Sequence, residues 1–394
     1  MFLAETDEQL ALRKELREYF AELLPPEVRR ALGNAGEGAA SFRDLVRTMG
    51  RDGWLGIGWP KEYGGQGRGV LDQFVFFDEV QRAGAPFPFV TINTVGPTLM
   101  AYGSDEHKRD YLPGILNGDI NFAIGYTEPD AGTDLASLRT KAVRDGEEWV
   151  INGNKVFTSG ANQADYIWLA CRTDPDAPKH KGISMIIVPT SSPGFKTTPI
   201  VTVGSVVTQA TYYDDVRVPA SNVVGDVNAG WRLITNQLNH ERVGLAALAG
   251  LTFRLYDDVE AWCRETPAGA DPGTRMIDVP WVQQQLADAH ARLEALRLLN
   301  WRMAGAVADA TLTPTDASSV KVFGVETQIK VYRILLEILG AGGYVRADQP
   351  GAFLHGEVER AARAAQINTF GGGVVEVLRE IVATVGLGMT RSSR

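Results

Sequence analysis

One carboxylate, Glu241, stands where a general base would be useful. At helical spacing, Ile234, Leu238, Glu241, Leu245 and Leu248 fall on one face, so the carboxylate lies in an apolar stripe. Burial disfavours the charged form of a carboxyl group and raises its pKa toward the range where it accepts a proton near neutrality. The small residues of the stretch 244–250 would let another group pack closely beside it. The same pattern also fits a buried ion pair with an Arg or His of a neighbouring helix. Arg242, on an adjacent face, suits a phosphate or a surface carboxylate, and His240 suits a polar boundary position.

Three further stretches carry groups able to hold a ligand. The run 124–134, IGYTEPDAGTD, gathers hydroxyls, glycines and backbone amides that can meet a heteroaromatic edge or a phosphate; it also reads as an ordinary turn closed by Asp and Thr. Phe157-Thr158-Ser159-Gly160 puts an aromatic face beside two hydroxyls, suited to a planar cofactor, although by itself it reads more readily as a strand end with Phe157 in the core. Gly371-Gly372-Gly373, ahead of a helical stretch, allows close backbone approach to a ligand or simply close packing.

The elements that must position these groups fall into three regions. Residues 1–120 read as helices: Leu10, Leu12, Leu16, Tyr19, Phe20 and Leu23 recur at helical spacing until Pro25-Pro26, and further helices fit 42–49, 71–82, 91–102 and 106–116. A loop rich in Gly and Pro, 58–67, separates two of them. Residues 121–228 change to short β-like runs, with a hairpin expected at Asn152-Gly153 and strands at 166–171, 183–188 and 210–213; the nearly all-apolar 183–188 is expected to be central. Residues 229–394 return to helices, at 230–263, 280–310, 316–339, 353–369 and 373–385.

Composition narrows the function classes. The 394 residues include 39 Lys+Arg and 48 Asp+Glu, a net charge of −9 with no long basic run, which argues against nucleic acid as the main partner. The two cysteines have no metal-ligand spacing, so reduced thiols and no structural zinc are expected. The first residues, MFLAETDEQL, lack a basic start followed by an apolar stretch, and no apolar run approaches the ~20 residues that span a bilayer. The expectation is a soluble, cytoplasmic protein with no membrane association.

In this order, the stretches resemble those of the acyl-CoA dehydrogenase family. Trp59-Pro60 with Tyr63-Gly64-Gly65 is similar to its N-terminal loop, Thr127-Glu128-Pro129 with Ala131-Gly132-Thr133-Asp134 to its first flavin motif, and the run 152–160 to its second. The resemblance implies an α+β fold, mainly α, with an N-terminal helical domain, a middle β-barrel domain and a C-terminal four-helix bundle, and FAD between the last two. It implies that Tyr126, Thr127, Gly132 and Thr133 line the flavin, its pyrophosphate or the mouth of the substrate site. Phe157, Thr158 and Ser159 would meet the isoalloxazine. The family more often has Trp at position 157, and the segment is one residue shorter here, which leaves open whether Thr158 or Ser159 reaches the ring.

Most members carry the catalytic Glu at the position matching Gly372; a minority carry it on the first helix of the bundle, just before an Arg. Glu241-Arg242 matches the minority pattern. Arg242 would then meet substrate, with the backbone near Gly372 and Gly373 beside the thioester. Homotetrameric members also donate an Arg-x-x-Phe-Gly and a Gln-x-x-Gly-Gly-x-Gly segment to a neighbour's FAD. The first is missing, and the second becomes Glu337-Ile338-Leu339-Gly340-Ala341-Gly342-Gly343. That combination resembles the actinobacterial α2β2 members, and the runs FAIGYTEPDAGTDLASLRT and ADYIWLACRTDP resemble the catalytic subunit that acts on steroid side chains. The implied partners are an acyl-CoA, a second acyl-CoA dehydrogenase-like subunit and an electron-transferring flavoprotein. An acyl-CoA oxidase or flavin monooxygenase on the same fold, or a non-catalytic partner subunit, are the alternatives.

Overall fold

The computed structural model describes residues 5–35, 40–235, 249–269, 273–347 and 349–390. Among the described residues, six α-helices precede the sheet: α1 (Asp7–Leu23), α2 (Pro26–Ala35), α3 (Ala40–Arg51), α4 (Val70–Ala83), α5 (Gly96–Tyr102) and α6 (Asp105–Leu116). Helix α1 starts on a capping box, in which Gln9 N–H donates to the Thr6 hydroxyl and Thr6 N–H to the Gln9 side chain. The Pro25-Pro26 pair ends α1 as expected, but Pro26 also opens α2, because a first-turn proline lacks only an N–H that has no helical partner.

The helix expected over 91–102 is divided into a π-helical turn, Val90–Val95, and α5. At that junction the Trp59 ring packs on Gly96, where a β-carbon would stand 2.2 Å from a ring atom, and the Trp59 indole N–H donates to Ile92 O at 3.1 Å. The loop 58–67 is thereby fixed to the helical layer.

The strands β1 (Phe122–Gly125), β2 (Lys141–Asp145), β3 (Glu148–Lys155), β4 (Tyr166–Arg172), β5 (Ile183–Pro189), β6 (Phe195–Val201), β7 (Val207–Pro219) and β8 (Val223–Val224) form one sheet. Its order is β6-β7-β3-β2-β4-β5-β8, with β1 parallel to β4. Strand β5 is apolar but for the buried Ser184, because both its faces are covered. Ile183, Met185 and Ile187 join the core shared with the N-terminal helices, while Ile186 and Val188 join a second core inside the β region.

The Asn152-Gly153 hairpin is corrected by the structure. The chain runs straight through these residues as β3, with an irregularity in its pairing to β7 between Ile151 and Gly153. Gly153 packs on Thr140, where a β-carbon would clash at 2.6 Å, and the Asn152 amide is engaged by Asp215 rather than by a turn. The reversal lies upstream, at Gly146 between β2 and β3.

Residues 230–235 open the C-terminal helical region, followed by α7 (Gly250–Glu265), α8 (Pro280–Ala308), α9 (Pro314–Leu339), α10 (Glu357–Ala364) and α11 (Val375–Ile381). Val259, Leu286, Leu293, Val331 and Leu335 are among the residues of its core. The single helix expected over 353–369 is broken: Leu354, His355 and Gly356 take positive φ, and only Glu357–Ala364 is α-helical. No described helix is long and apolar enough to cross a membrane.

Candidate functional site

The runs 126–133 and 155–159 lie side by side, and one buried ion pair holds them. Lys155 is fully buried and Glu128 nearly so, with Nζ to Oε1 at 2.8 Å. Lys155 also donates to Tyr126 O at 3.0 Å, and Val156 N–H donates to Thr127 O at 2.8 Å. The Glu128 carboxylate accepts in addition from the backbone amides of Arg139, at 2.6 Å, and Thr140, at 2.8 Å. Burial works to raise this carboxyl's pKa, but the Lys155 ammonium and the donors from Thr140 outweigh it and hold the group below its ordinary value. Burial in turn lowers the Lys155 pKa, with Glu128 opposing.

The ion pair fixes what the two runs present outward. Glu128 and Ala131 bond each other's backbones, closing a tight turn that leaves Gly132 and Thr133 exposed, with Thr127 and Tyr126 half-buried beside them. The Tyr126 hydroxyl accepts from the Trp168 indole at 3.2 Å. Phe157 takes φ +59° and is 61% exposed, so it is not a core residue. An aromatic residue in left-handed backbone with an uncovered ring is costly unless something else uses the ring.

The two hydroxyls beside that ring are separated. Thr158 is fully buried, its hydroxyl 3.3 Å from that of Thr211, which is 3.3 Å from the Tyr213 hydroxyl. Ser159 is exposed, its hydroxyl 2.9 Å from that of buried Thr208. Of the two hydroxyl residues next to Phe157, Ser159 is therefore the exposed one.

Gly372 and Gly373 lie on an exposed loop before α11, at φ +67° and +113°. Lys321 donates to the carbonyl of Gly371, and a β-carbon on Gly372 would stand 3.0 Å from its Nζ. Upstream of this loop, α10 is anchored to the β6–β7 hairpin: Arg363 donates to Val203 O and to the Ser205 hydroxyl, and Gly204 packs on Ala364. Glu337 and Ala341 sit exposed at the end of α9, whereas Gly342 is packed on the Phe353 ring. Glu241 and Arg242 lie outside the described residues.

The sequence patterns assign no role to Glu128, Lys155 or Thr208. A signal for Lys155 was present. Trp149, Ile151, Gly153 and Lys155 share one parity along β3, and the inward face of the first two points Lys155 inward as well.

Comparison with known proteins gives the chain a family. Family models for the N-terminal, middle and C-terminal domains of acyl-CoA dehydrogenase match residues 6–119, 123–216 and 228–387. The acyl-CoA dehydrogenase FadE26 of Mycobacterium tuberculosis is 53% identical over the full length of both chains. Among solved structures, a chain of the Tcur3481-Tcur3483 steroid ACAD is 62% identical with a TM-score of 0.95, covering all of both chains. A chain of the ChsE4-ChsE5 complex from Mycobacterium tuberculosis is 52% identical with a TM-score of 0.93, again over the whole of both. With all three domain types in order, the chain belongs to the acyl-CoA dehydrogenase family of flavin-dependent oxidoreductases.

Proposed function

We propose that this chain is the flavin-holding, base-carrying subunit of a heteromeric acyl-CoA dehydrogenase that oxidises CoA thioesters of short steroid side chains. The observation that carries the flavin half is the outward Phe157 ring at positive φ beside the Ser159 hydroxyl, on a loop locked to residues 126–128 by Lys155 and Glu128. A planar ring system seated there would cover Phe157 and use the Ser159 hydroxyl, with Thr127, Gly132 and Thr133 toward the rest of FAD. Thr158 stays out of contact, since its hydroxyl is committed inward.

FAD would supply the acceptor for the hydride leaving the β-carbon. Glu241 would take the α-proton, supported by the helical spacing of apolar residues around it in the sequence and its Glu-Arg pattern. Backbone near Gly372 and Gly373 would lie beside the thioester, and Arg242 would meet the CoA part. Electrons would pass to an electron-transferring flavoprotein. The exposed Glu337 and Ala341 put charge and a methyl group where homotetrameric relatives offer Gln and Gly, which favours a different second subunit completing the flavin site. Similarity to a steroid ACAD and to a two-protein complex supports both the substrate class and that assembly.

The test is the visible spectrum of the purified chain alone and with a candidate second subunit, followed by kcat/KM for a steroid-22-oyl-CoA against butyryl-, octanoyl- and palmitoyl-CoA. Full flavin and activity in the chain alone would end the heteromeric reading. A straight chain oxidised better than the steroid thioester would end the substrate reading.

A further inference from the structure

We infer that Thr208 is a positioning residue that sets the direction of the Ser159 hydroxyl proton, so that the pair can donate toward a bound ring nitrogen in one oxidation state and accept from it in the other. This rests on the flavin reading above and adds to it a residue that does not touch the ring.

The Ser159 and Thr208 hydroxyl oxygens are 2.9 Å apart, and either can be the donor. Thr208 is 4% exposed on β7, opposite Ile200 of β6, whereas Ser159 faces outward. The loop is held over the strand because Thr158 N–H donates to Gln209 O at 2.9 Å, and Ser159 N–H turns back to Phe157 O at 2.9 Å. The Ser159 backbone is therefore held beside Thr208, within reach of its hydroxyl.

Two hydroxyls sharing one hydrogen bond have two proton arrangements. When Thr208 donates, the Ser159 proton is left to point outward at an acceptor. When Ser159 donates to Thr208, its outward lone pairs can receive a proton donor. The hydride-accepting nitrogen of an isoalloxazine has no proton when oxidised and carries one when reduced, so it changes from acceptor to donor. The pair can meet both states by turning hydroxyl protons alone, with no heavy atom displaced. Thr158, Thr211 and Tyr213 form a similar hydroxyl series, but it runs inward from a fully buried Thr158 and cannot serve.

The loss of Thr208's hydroxyl should act unequally on the two states. With ring oxidised, Ser159 still donates outward and loses only a donor to one lone pair. With ring reduced, the Ser159 proton loses its inner acceptor, and an orphaned donor is worse tolerated than an under-used acceptor. Thr208→Val should therefore weaken binding of the reduced form relative to the oxidised form and lower the reduction potential.

The experiment uses the flavin-loaded protein, with its second subunit if one is required, and compares wild type with Thr208→Val, Thr208→Ala, Thr208→Ser and Ser159→Ala. The readouts are the flavin absorption spectrum and the two-electron potential by dye equilibration, without acyl substrate. We expect Thr208→Val and Thr208→Ala to shift the spectrum and to lower the potential by about 30 mV, the equivalent of a tenfold change in relative binding. Thr208→Ser should restore wild-type values, and Thr208→Val added to Ser159→Ala should do nothing further. If Ser159→Ala shifts both readouts while Thr208→Val and Thr208→Ala leave them at wild type, Thr208 does not set the proton and the inference is overturned. If Ser159→Ala also changes nothing, the placement of Ser159 against the flavin is wrong and both readings fall together.

Discussion

Lys155 Nζ lies 2.8 Å from Glu128 Oε1, in the most deeply buried ion pair among the described residues, and it joins the two runs that carry every outward group of the proposed flavin site. Removing one partner of such a pair leaves an uncompensated charge where water cannot reach it. Lys155→Met is expected to cost ~3–5 kcal/mol of unfolding free energy in urea titrations. Replacing both partners should recover only part of the loss, because the Arg139 and Thr140 amides would then have lost the carboxylate they donate to. A double apolar variant as stable as wild type would show that those amides find other partners.

The same carboxylate predicts a pH dependence. The folded-state pKa of Glu128 is held below its ordinary value of 4.5, so between the two values the unfolded chain binds more protons than the folded one. Stability from this group is fully present above 4.5 and is lost as pH falls through the folded-state pKa. The difference in unfolding free energy between wild type and Glu128→Gln should be constant at neutral pH and shrink on acidification below 4.5. A difference that stays flat to the acid limit would mean the carboxylate is not specially stabilised.

Phe157 separates stability from binding. Its left-handed backbone costs on the order of 1–2 kcal/mol for a residue with a β-carbon, and its mostly exposed ring returns little by burial. Phe157→Gly removes that cost but adds chain entropy to the unfolded state, ~0.5–1 kcal/mol in the other direction. The flavin-free protein should thus be unchanged or slightly more stable, by up to ~1 kcal/mol, while FAD is bound more weakly. Melting temperature without flavin and a flavin titration check the two halves. A clear loss of stability would mean that the ring is packed in the free protein.

The order of helices, strands and helices was legible because periodicity is a local property. Strand β5 and the long helices α8 and α9 needed only their own residues to be recognised. The Asn152-Gly153 turn was misread because nothing local reveals that Asp215, 63 residues away, engages the Asn152 side chain, or that Thr140 requires a glycine at 153. The break at Leu354–Gly356 escaped for a related reason: a leucine and a histidine at positive φ have no composition signature. Within the site, Phe157 and Ser159 could be named from sequence. The proposed preference for Ser159 over Thr158 rests on the contact of the Thr158 hydroxyl with Thr211, which no local pattern reveals.

The choice of base can be tested from the position that most relatives use. Glu241→Gln should keep the flavin and lower turnover by about 10²–10⁴-fold, as expected for loss of a general base. Adding Gly372→Glu would seem to restore the common arrangement, but this backbone is built against it. Gly372 has φ +67°, so any side chain there starts with a backbone penalty, and its β-carbon would stand 3.0 Å from Lys321 Nζ. The ammonium of Lys321, already donating to Gly371 O, would meet the new carboxylate as an ion pair, which favours the charged form and makes it a weaker base. Glu241→Gln/Gly372→Glu should therefore stay within about tenfold of Glu241→Gln alone, far short of the general-base contribution. Replacing Lys321 by Met in that background removes the competing cation and should raise turnover. Single-turnover flavin reduction by acyl-CoA reads all three variants on one scale, with the flavin spectrum showing that each is loaded. Near-wild-type reduction in the double variant would mean that position 372 accepts a base without hindrance from Lys321, and the backbone argument would fail.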